Sequence, residues 1–141
     1  MGSVRDLYKR TILEHSRAPR NFRALTGEGI LSAELRNVTC GDRIVLAVAV
    51  EDDVLRDIAF QGSGCAISMA SASVMTEAVK GLSRTRVSDL HERFAALVRD
   101  GVESELGEPG ELAVFRDVAR FPVRVACATL AWDVLHVAMA L

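Results

Sequence analysis

The stretch Asn37-Val-Thr-Cys40-Gly-Asp42-Arg43 constrains this chain more than any other. Cys40 and Asp42 stand two apart, and in extended backbone residues i and i+2 project to one side. A soft thiolate and a hard carboxylate then face one point, with Gly41 relaxing the backbone between them. That is half of a tetrahedral metal site. Cys65 and Cys127 could supply the other half, giving three sulfurs and one oxygen. Zinc accepts both donor types and usually takes four ligands.

Three cysteines are an odd number, which fits a reducing compartment better than a disulfide framework. Free cysteine is commonly a buried small hydrophobe, and that reading stands beside the metal one. The local settings favour ligands. Cys40 precedes Gly-Asp, Cys65 follows Gln61-Gly-Ser-Gly64, and Cys127 follows a Pro-containing segment where an apolar helical pattern begins. All three lie at element boundaries, where functional residues concentrate.

The pattern around them predicts the elements. Ser3 is the expected N-cap of a first helix, with Asp6 in its first turn and Val4, Leu7, Tyr8 and Ile12 on its apolar face. It runs to about His15, which reads as a surface or helix-end residue, and Pro19 lies beyond its end. A weakly marked strand from Gly29 to Asn37, a clear one from Arg43 to Val50 and a third from Val54 to Phe60 form an antiparallel meander. Cys40-Gly-Asp42 enters its second strand. Gln61 to Gly64 reads as a loop, followed by a helix from Ala66 to Lys80 that Gly81 closes. Its small residues, Ala70 to Ser73, would let it approach the sheet closely, and Met69 and Met75 read as packing residues.

Ser88 is expected to cap a short helix from Asp89 to Val98, with His91 on its solvent side. The acidic stretch from Asp100 to Gly110 reads as a solvated loop, and Glu111 to Val118 as helical. The last helix is expected from about Ala128 to Ala140, with Leu130, Val134 and Val137 on its buried face and Trp132 and Leu135 extending it. Cys65 and Cys127 then both mark helix starts, where exposed N–H groups and the helix dipole favour a thiolate. Convergence of the three cysteines on one point would lower all three thiol pKa values. Three thiolates and a carboxylate on zinc leave a net charge of about -2. Arg124 is the candidate counter-cation, with a surface charge on a loop as its plainer reading.

The 141 residues are taken as a single domain, 1–141, half hydrophobic and with a formal charge of -2, the profile of a globular protein. No basic stripe with interleaved aromatics points to nucleic acid. The first residues hold no apolar signal core, and Asp6 spoils a myristoylation signal. Residues 126–141 are apolar but interrupted by Asp133 and His136, and too short to span a bilayer. The expectation is a cytoplasmic protein without a membrane partner.

Leu7-Tyr8, Ile12-Leu-Glu-His15, Pro19-Arg-Asn21, Asn37 to Arg43, Gly62 to Met75, and Phe121-Pro122 with Arg124 to Trp132 together resemble the SufU branch of the IscU/NifU N-terminal family. The resemblance runs from near the N-terminus to the last helix. It implies an α+β fold, a small three-stranded antiparallel sheet with several helices packed on one side. It also implies a role in iron–sulfur cluster biogenesis beside a pyridoxal-phosphate cysteine desulfurase of SufS type, upstream of further assembly machinery.

Scaffold members of that family build a 2Fe–2S cluster and typically carry His just before the third cysteine. Here that residue is Ala126, where SufU-type sequences often have a basic residue. The stretch from Ser83 to Arg120 is long enough for the SufU-type insert. Both features point to the zinc-dependent sulfurtransferase branch. The family's zinc ligands map onto Cys40, Asp42, Cys65 and Cys127, and its persulfide acceptor onto Cys40.

Four filled positions leave no free nucleophile, so the expectation is that a ligand from the desulfurase replaces Cys40, which then takes up sulfur. Asp42 would act as an adjustable ligand, Cys65 and Cys127 as the anchors, and Arg124 as charge compensation. Two further readings remain: a scaffold carrying a transient 2Fe–2S cluster, and a purely structural zinc site. Hydrolytic zinc chemistry is disfavoured, because the donor set leaves no open water position.

Overall fold

The protein is described from a computed structural model covering residues 4–101 and 111–141, residues 4–8 as backbone only. Three strands, β1 (Leu31–Asn37), β2 (Asp42–Glu51) and β3 (Val54–Ser63), form an antiparallel meander in the order β1-β2-β3. The α+β expectation, a small sheet packed against several helices, is met. Along β2, Ile44, Leu46 and Val48 are fully buried on one face, while Val45, Ala47 and Ala49 on the other are half-buried.

The third strand runs further than the sequence suggests. Gln61, Gly62 and Ser63 belong to β3 and not to a loop, with Ile44 opposite Gly62 and Arg43 opposite Ser63. Gly62 makes this possible: a Cβ there would sit 2.0 Å from the Arg43 carbonyl oxygen, so only glycine lets the strands close. Extending the ladder to Ser63 carries the chain directly to Cys65, beside the base of the β1–β2 hairpin.

The helices are α1 (Val4–Arg17), α2 (Ala66–Val79), α3 (Arg84–Asp100) and α4 (Pro122–Met139), with a 3₁₀ segment at Glu111–Arg120. The expected Ser3 cap and the acidic stretch 102–110 lie outside the described residues. Asp100 itself ends α3, and Gly101 closes it in the left-handed region at φ 68°. That helix starts at Ser83, whose hydroxyl accepts the Arg86 N–H at 3.3 Å, earlier than the expected Ser88 cap.

The last helix begins at Pro122, well before Ala128. Proline has no N–H to lose in a first turn, and its fixed φ suits that position. At 18 residues α4 has the length and hydropathy of a membrane span, but Cys127 to Leu130, Trp132, Val134 and Leu135 are buried within the fold. It packs on β1, β2 and α2, as a core helix does.

Trp132, Phe94, Phe115, Ile58 and Met75 are among the largest buried side chains. Met69 packs at the margin of this core. The small residues of α2 serve its helix neighbours as well as the sheet. Ser71 Oγ donates to the Ala128 carbonyl at 2.5 Å, and Ser73 Oγ lies 2.7 Å from His15 Nδ1.

His15 is therefore not a surface residue. It is 4% exposed, bonded on its other ring nitrogen to Glu111 Oε2 at 2.5 Å, and so ties α1 to α2 and the 3₁₀ segment. Nor does His91 stand free in solvent: its ring stacks on Trp132 at 5.9 Å and its Nε2 lies 3.5 Å from Asp133. Leu130 and Val134 are buried as expected, but Val137 is 56% exposed.

Candidate metal centre

Residues 38–41 turn the chain from β1 into β2, and Asn37 pairs with Asp42 at the base of the hairpin. Gly41 takes φ 72°, a conformation glycine adopts at no steric cost. Cys40 sits half-buried on this turn and Asp42 is buried at 1% exposure. A carboxylate removed from water needs partners. Asp42 Oδ1 accepts the Cys65 backbone N–H at 2.8 Å, and Oδ2 accepts the Asn37 Nδ2 hydrogen at 3.4 Å. Gly64 provides the room: a Cβ there would lie 2.4 Å from Asp42 Oδ1.

The ligand atoms of Cys40, Asp42 and Cys127 all lie within 4.8 Å of one another. Cys65 stands outside this triangle. It is the N-cap of α2, and its Sγ accepts the Ser68 N–H at 3.4 Å, which directs the sulfur toward its own helix. The expected four-residue convergence is thus three donors gathered and a fourth alongside, on the residue whose N–H already holds Asp42.

The expectation of uniformly lowered thiol pKa values fails at Cys127. This residue lies in the second turn of α4 and is fully buried, beyond the exposed N–H groups of the helix start. Burial pushes its thiol up, and hydrogen bonding with Cys40, Asp42 and Cys65 pushes it further the same way. Both effects favour the protonated thiol at Cys127.

Arg124 is not on a loop but in the first turn of α4, exposed and one turn before Cys127. Its guanidinium is stabilised above its ordinary range, first by hydrogen bonding to Cys127 and then by charge on Cys65, Cys127 and Cys40. The cation foreseen for the site therefore faces it.

Beside Cys40 opens a cleft of about 660 Å³ lined by Thr39, Cys40, Arg120 and residues 121–124. Two arginines and exposed apolar side chains line it, Phe121 and Val123 being 59% and 65% exposed, and Val38, in the hairpin turn next to Thr39, is 89% exposed. Sequence reasoning gave no role to these residues, nor to Asn37 and Gly64. The signals were present in Asn37 three residues before Cys40, Gly64 directly before Cys65, and hydrophobic residues on both sides of Pro122.

The residues fit a tetrahedral cation that accepts sulfur and oxygen together. A buried carboxylate and two thiols already face each other, and a side-chain rotation at Cys65 would add the third thiol. Among the described residues this is the cluster of at least three potential ligands that meets such a spacing.

Residues 7–141 match the family of the NifU-like N-terminal domain. The chain is 38% identical over 139 residues to an iron–sulfur cluster assembly scaffold protein, IscU, of Streptococcus pyogenes serotype M1, covering 99% of this chain and 86% of that protein. It is 35% identical over 130 residues to the zinc-dependent sulfurtransferase SufU of Bacillus subtilis strain 168, covering 92% and 87%. Among solved structures, a hypothetical protein at 38% identity superposes with a TM-score of 0.89 over 98% of this chain and 100% of the other. A putative cluster assembly scaffold of the SUF system from Fervidobacterium islandicum AW-1 gives 0.82 at 27% identity, covering 97% and 99%.

Proposed function

The chain belongs to the family of NifU-like N-terminal domains, and from that premise we propose that it is a zinc-dependent sulfurtransferase. In this reading it accepts persulfide sulfur from a SufS-type cysteine desulfurase and hands it to the iron–sulfur assembly machinery. The observation that carries the reading is the unequal placement of the thiols. Cys40 lies on a hairpin turn beside an open cleft, while Cys127 is buried in a helix. An acceptor must be reached by a partner's persulfide, and an anchor must not move.

Cys40, Asp42, Cys65 and Cys127 would hold the zinc ion. Bound there, zinc would keep the thiols ionised at neutral pH and fix their geometry. The expected roles of Asp42 and Cys65 change places in this reading: Asp42, held at both oxygens, joins Cys127, fixed by its helix, as an anchor. Cys65 can leave its capping bond with Ser68 to complete the set. Arg124 offsets the negative charge of these donors from the cleft side.

Sulfur transfer is thiol–disulfide exchange at Cys40. The Cys40 thiolate bonds to the outer sulfur of the donor persulfide, the S–S bond of the donor breaks, and its cysteine leaves as a thiolate. Cys40 then carries the persulfide, with no net oxidation. The exposed apolar side chains of Val38, Phe121 and Val123 suit burial against the desulfurase during this step. Three free cysteines suit a reducing cytoplasm.

A scaffold carrying a 2Fe–2S cluster is the second reading, favoured by the 38% identity to a protein of that name. Ala126 is exposed beside Cys127 and offers no imidazole to such a cluster.

Desulfurase turnover on cysteine, with and without the zinc-loaded protein in strictly iron-free buffer, separates the two. Strong stimulation is expected. Absence of stimulation, together with a cluster on this chain once iron is supplied, would favour the scaffold.

A further inference from the structure

Asn37 closes β1, opposite Asp42 in the hairpin register. Residues paired across two strands point to one face, so this pairing directs its amide toward the carboxylate. Asparagine is a poor strand residue, and strand propensity gives no reason for it there.

Its amide nitrogen reaches two groups at once. Asn37 Nδ2 lies 3.4 Å from Asp42 Oδ2 and 3.7 Å from Cys127 Sγ. A primary amide carries two N–H donors, one for each acceptor. The two acceptors belong to different elements, β2 and α4, which pack against each other. The Cys65 N–H occupies Asp42 Oδ1, and Asn37 donates to the other oxygen. Outer partners of this kind orient ligands and are commonly worth about 10–100-fold in metal affinity.

We propose that Asn37 is a positioning residue of the metal centre, its amide holding the Asp42 carboxylate and the Cys127 sulfur in register for one cation. The inference rests on the zinc-site reading of Cys40, Asp42, Cys65 and Cys127. An N–H bonded to a thiolate also draws electron density from the sulfur. The same amide thus sets how strongly Cys127 donates to the metal, and this leaves a spectroscopic mark.

The test uses purified protein alone, with no desulfurase present. Zinc affinity by chelator competition, the cobalt(II) spectrum and the metal-free thermal midpoint are measured for wild type, Asn37→Ala and Asn37→Leu, which keeps the volume and removes the donors. Both variants should bind zinc about 10–100-fold more weakly. Their sulfur-to-cobalt charge-transfer band should move to longer wavelength, while the metal-free stability of Asn37→Leu falls by less than the loss in zinc-binding free energy.

Zinc affinity within twofold of wild type and an unmoved cobalt band in Asn37→Leu would overturn the proposal. So would an affinity loss matched by equal destabilisation of the metal-free chain, which marks a role in the hairpin alone. A wild type that binds zinc here but takes up no sulfur in a separate reaction with the desulfurase overturns the sulfurtransferase reading and leaves Asn37 its role. A wild type that holds no zinc overturns both.

Discussion

The starts of α2 and α4 both bring a cysteine to the same place, and they treat it oppositely. At α2 the cysteine is the N-cap itself, half-buried, its sulfur bonded to the Ser68 N–H. At α4 the helix begins at Pro122, so Cys127 falls in the second turn, fully buried, its thiol pushed up by that burial. One sulfur is bonded to the backbone of its own helix, whereas the other is fixed in a buried site that favours its protonated form. The contrast divides the ligand set into movable and anchored parts before any metal arrives. Cys40, on its turn, falls with the movable ones.

Exchanging each cysteine for serine sharpens this contrast most. Cys127→Ser should remove zinc binding by more than the roughly 10–100-fold that outer partners contribute. It also leaves a hydroxyl in a fully buried site, costing about 1–3 kcal/mol of metal-free stability if that group finds no partner. Cys65→Ser should weaken zinc but leave metal-free stability unchanged or slightly raised, because serine is a preferred N-cap. Chelator competition and thermal unfolding of metal-free samples check both. Equal losses in the two variants would break the comparison.

Gly64→Ala has the next largest effect. Its Cβ would sit 2.4 Å from Asp42 Oδ1 and 3.1 Å from Asp42 Cα, so the buried carboxylate or the strand end must shift. A cost of about 1–3 kcal/mol in stability is expected from such overpacking, with weaker zinc binding. By contrast, Gly81→Ala meets nothing within 4 Å and strains only the backbone at φ 89°, so its zinc affinity should stay that of wild type.

The smallest effect is a pH dependence of the metal-free protein. The folded Cys127 thiol binds its proton more tightly than the unfolded one, whose ordinary value is about 8.5. Its contribution to stability is complete below that value. As pH rises above it, the unfolded chain loses the proton first and stability falls. Denaturant midpoints between about pH 7 and 10 should therefore decline in metal-free wild type and decline less in Cys127→Ala.

The strands and the Cys40–Asp42 pair were legible because their signals are local. Alternation of Ile44, Leu46 and Val48 against half-buried neighbours marks β2, and Cys40-Gly-Asp42 reads as a ligand pair within three residues. What local pattern could not give were contacts across the fold. His15 reads as polar and helix-terminal, yet Ser73 and Glu111 bury it from 58 and 96 positions away. Asn37 looks like turn chemistry until α4 brings Cys127 beside it.

Two misplaced boundaries had local signals that a stronger pattern outweighed. The apolar run after Cys127 concealed Pro122 as a helix starter, and Gly62 read as a loop residue although its missing side chain is what lets β3 continue. The first of these errors carried the electrostatic expectation with it. A cysteine placed at a helix start is expected to ionise easily, and one placed a turn later is buried and resists.

The most direct test of the account is the mass of Cys40 after a single turnover. The zinc-loaded protein is mixed with persulfidated desulfurase in iron-free buffer, quenched by alkylation and digested. The account predicts one added sulfur on the Cys40 peptide, none on the Cys127 peptide, and no sulfur on Cys40→Ser. Added sulfur on Cys127, or labelling that survives in Cys40→Ser, would contradict it.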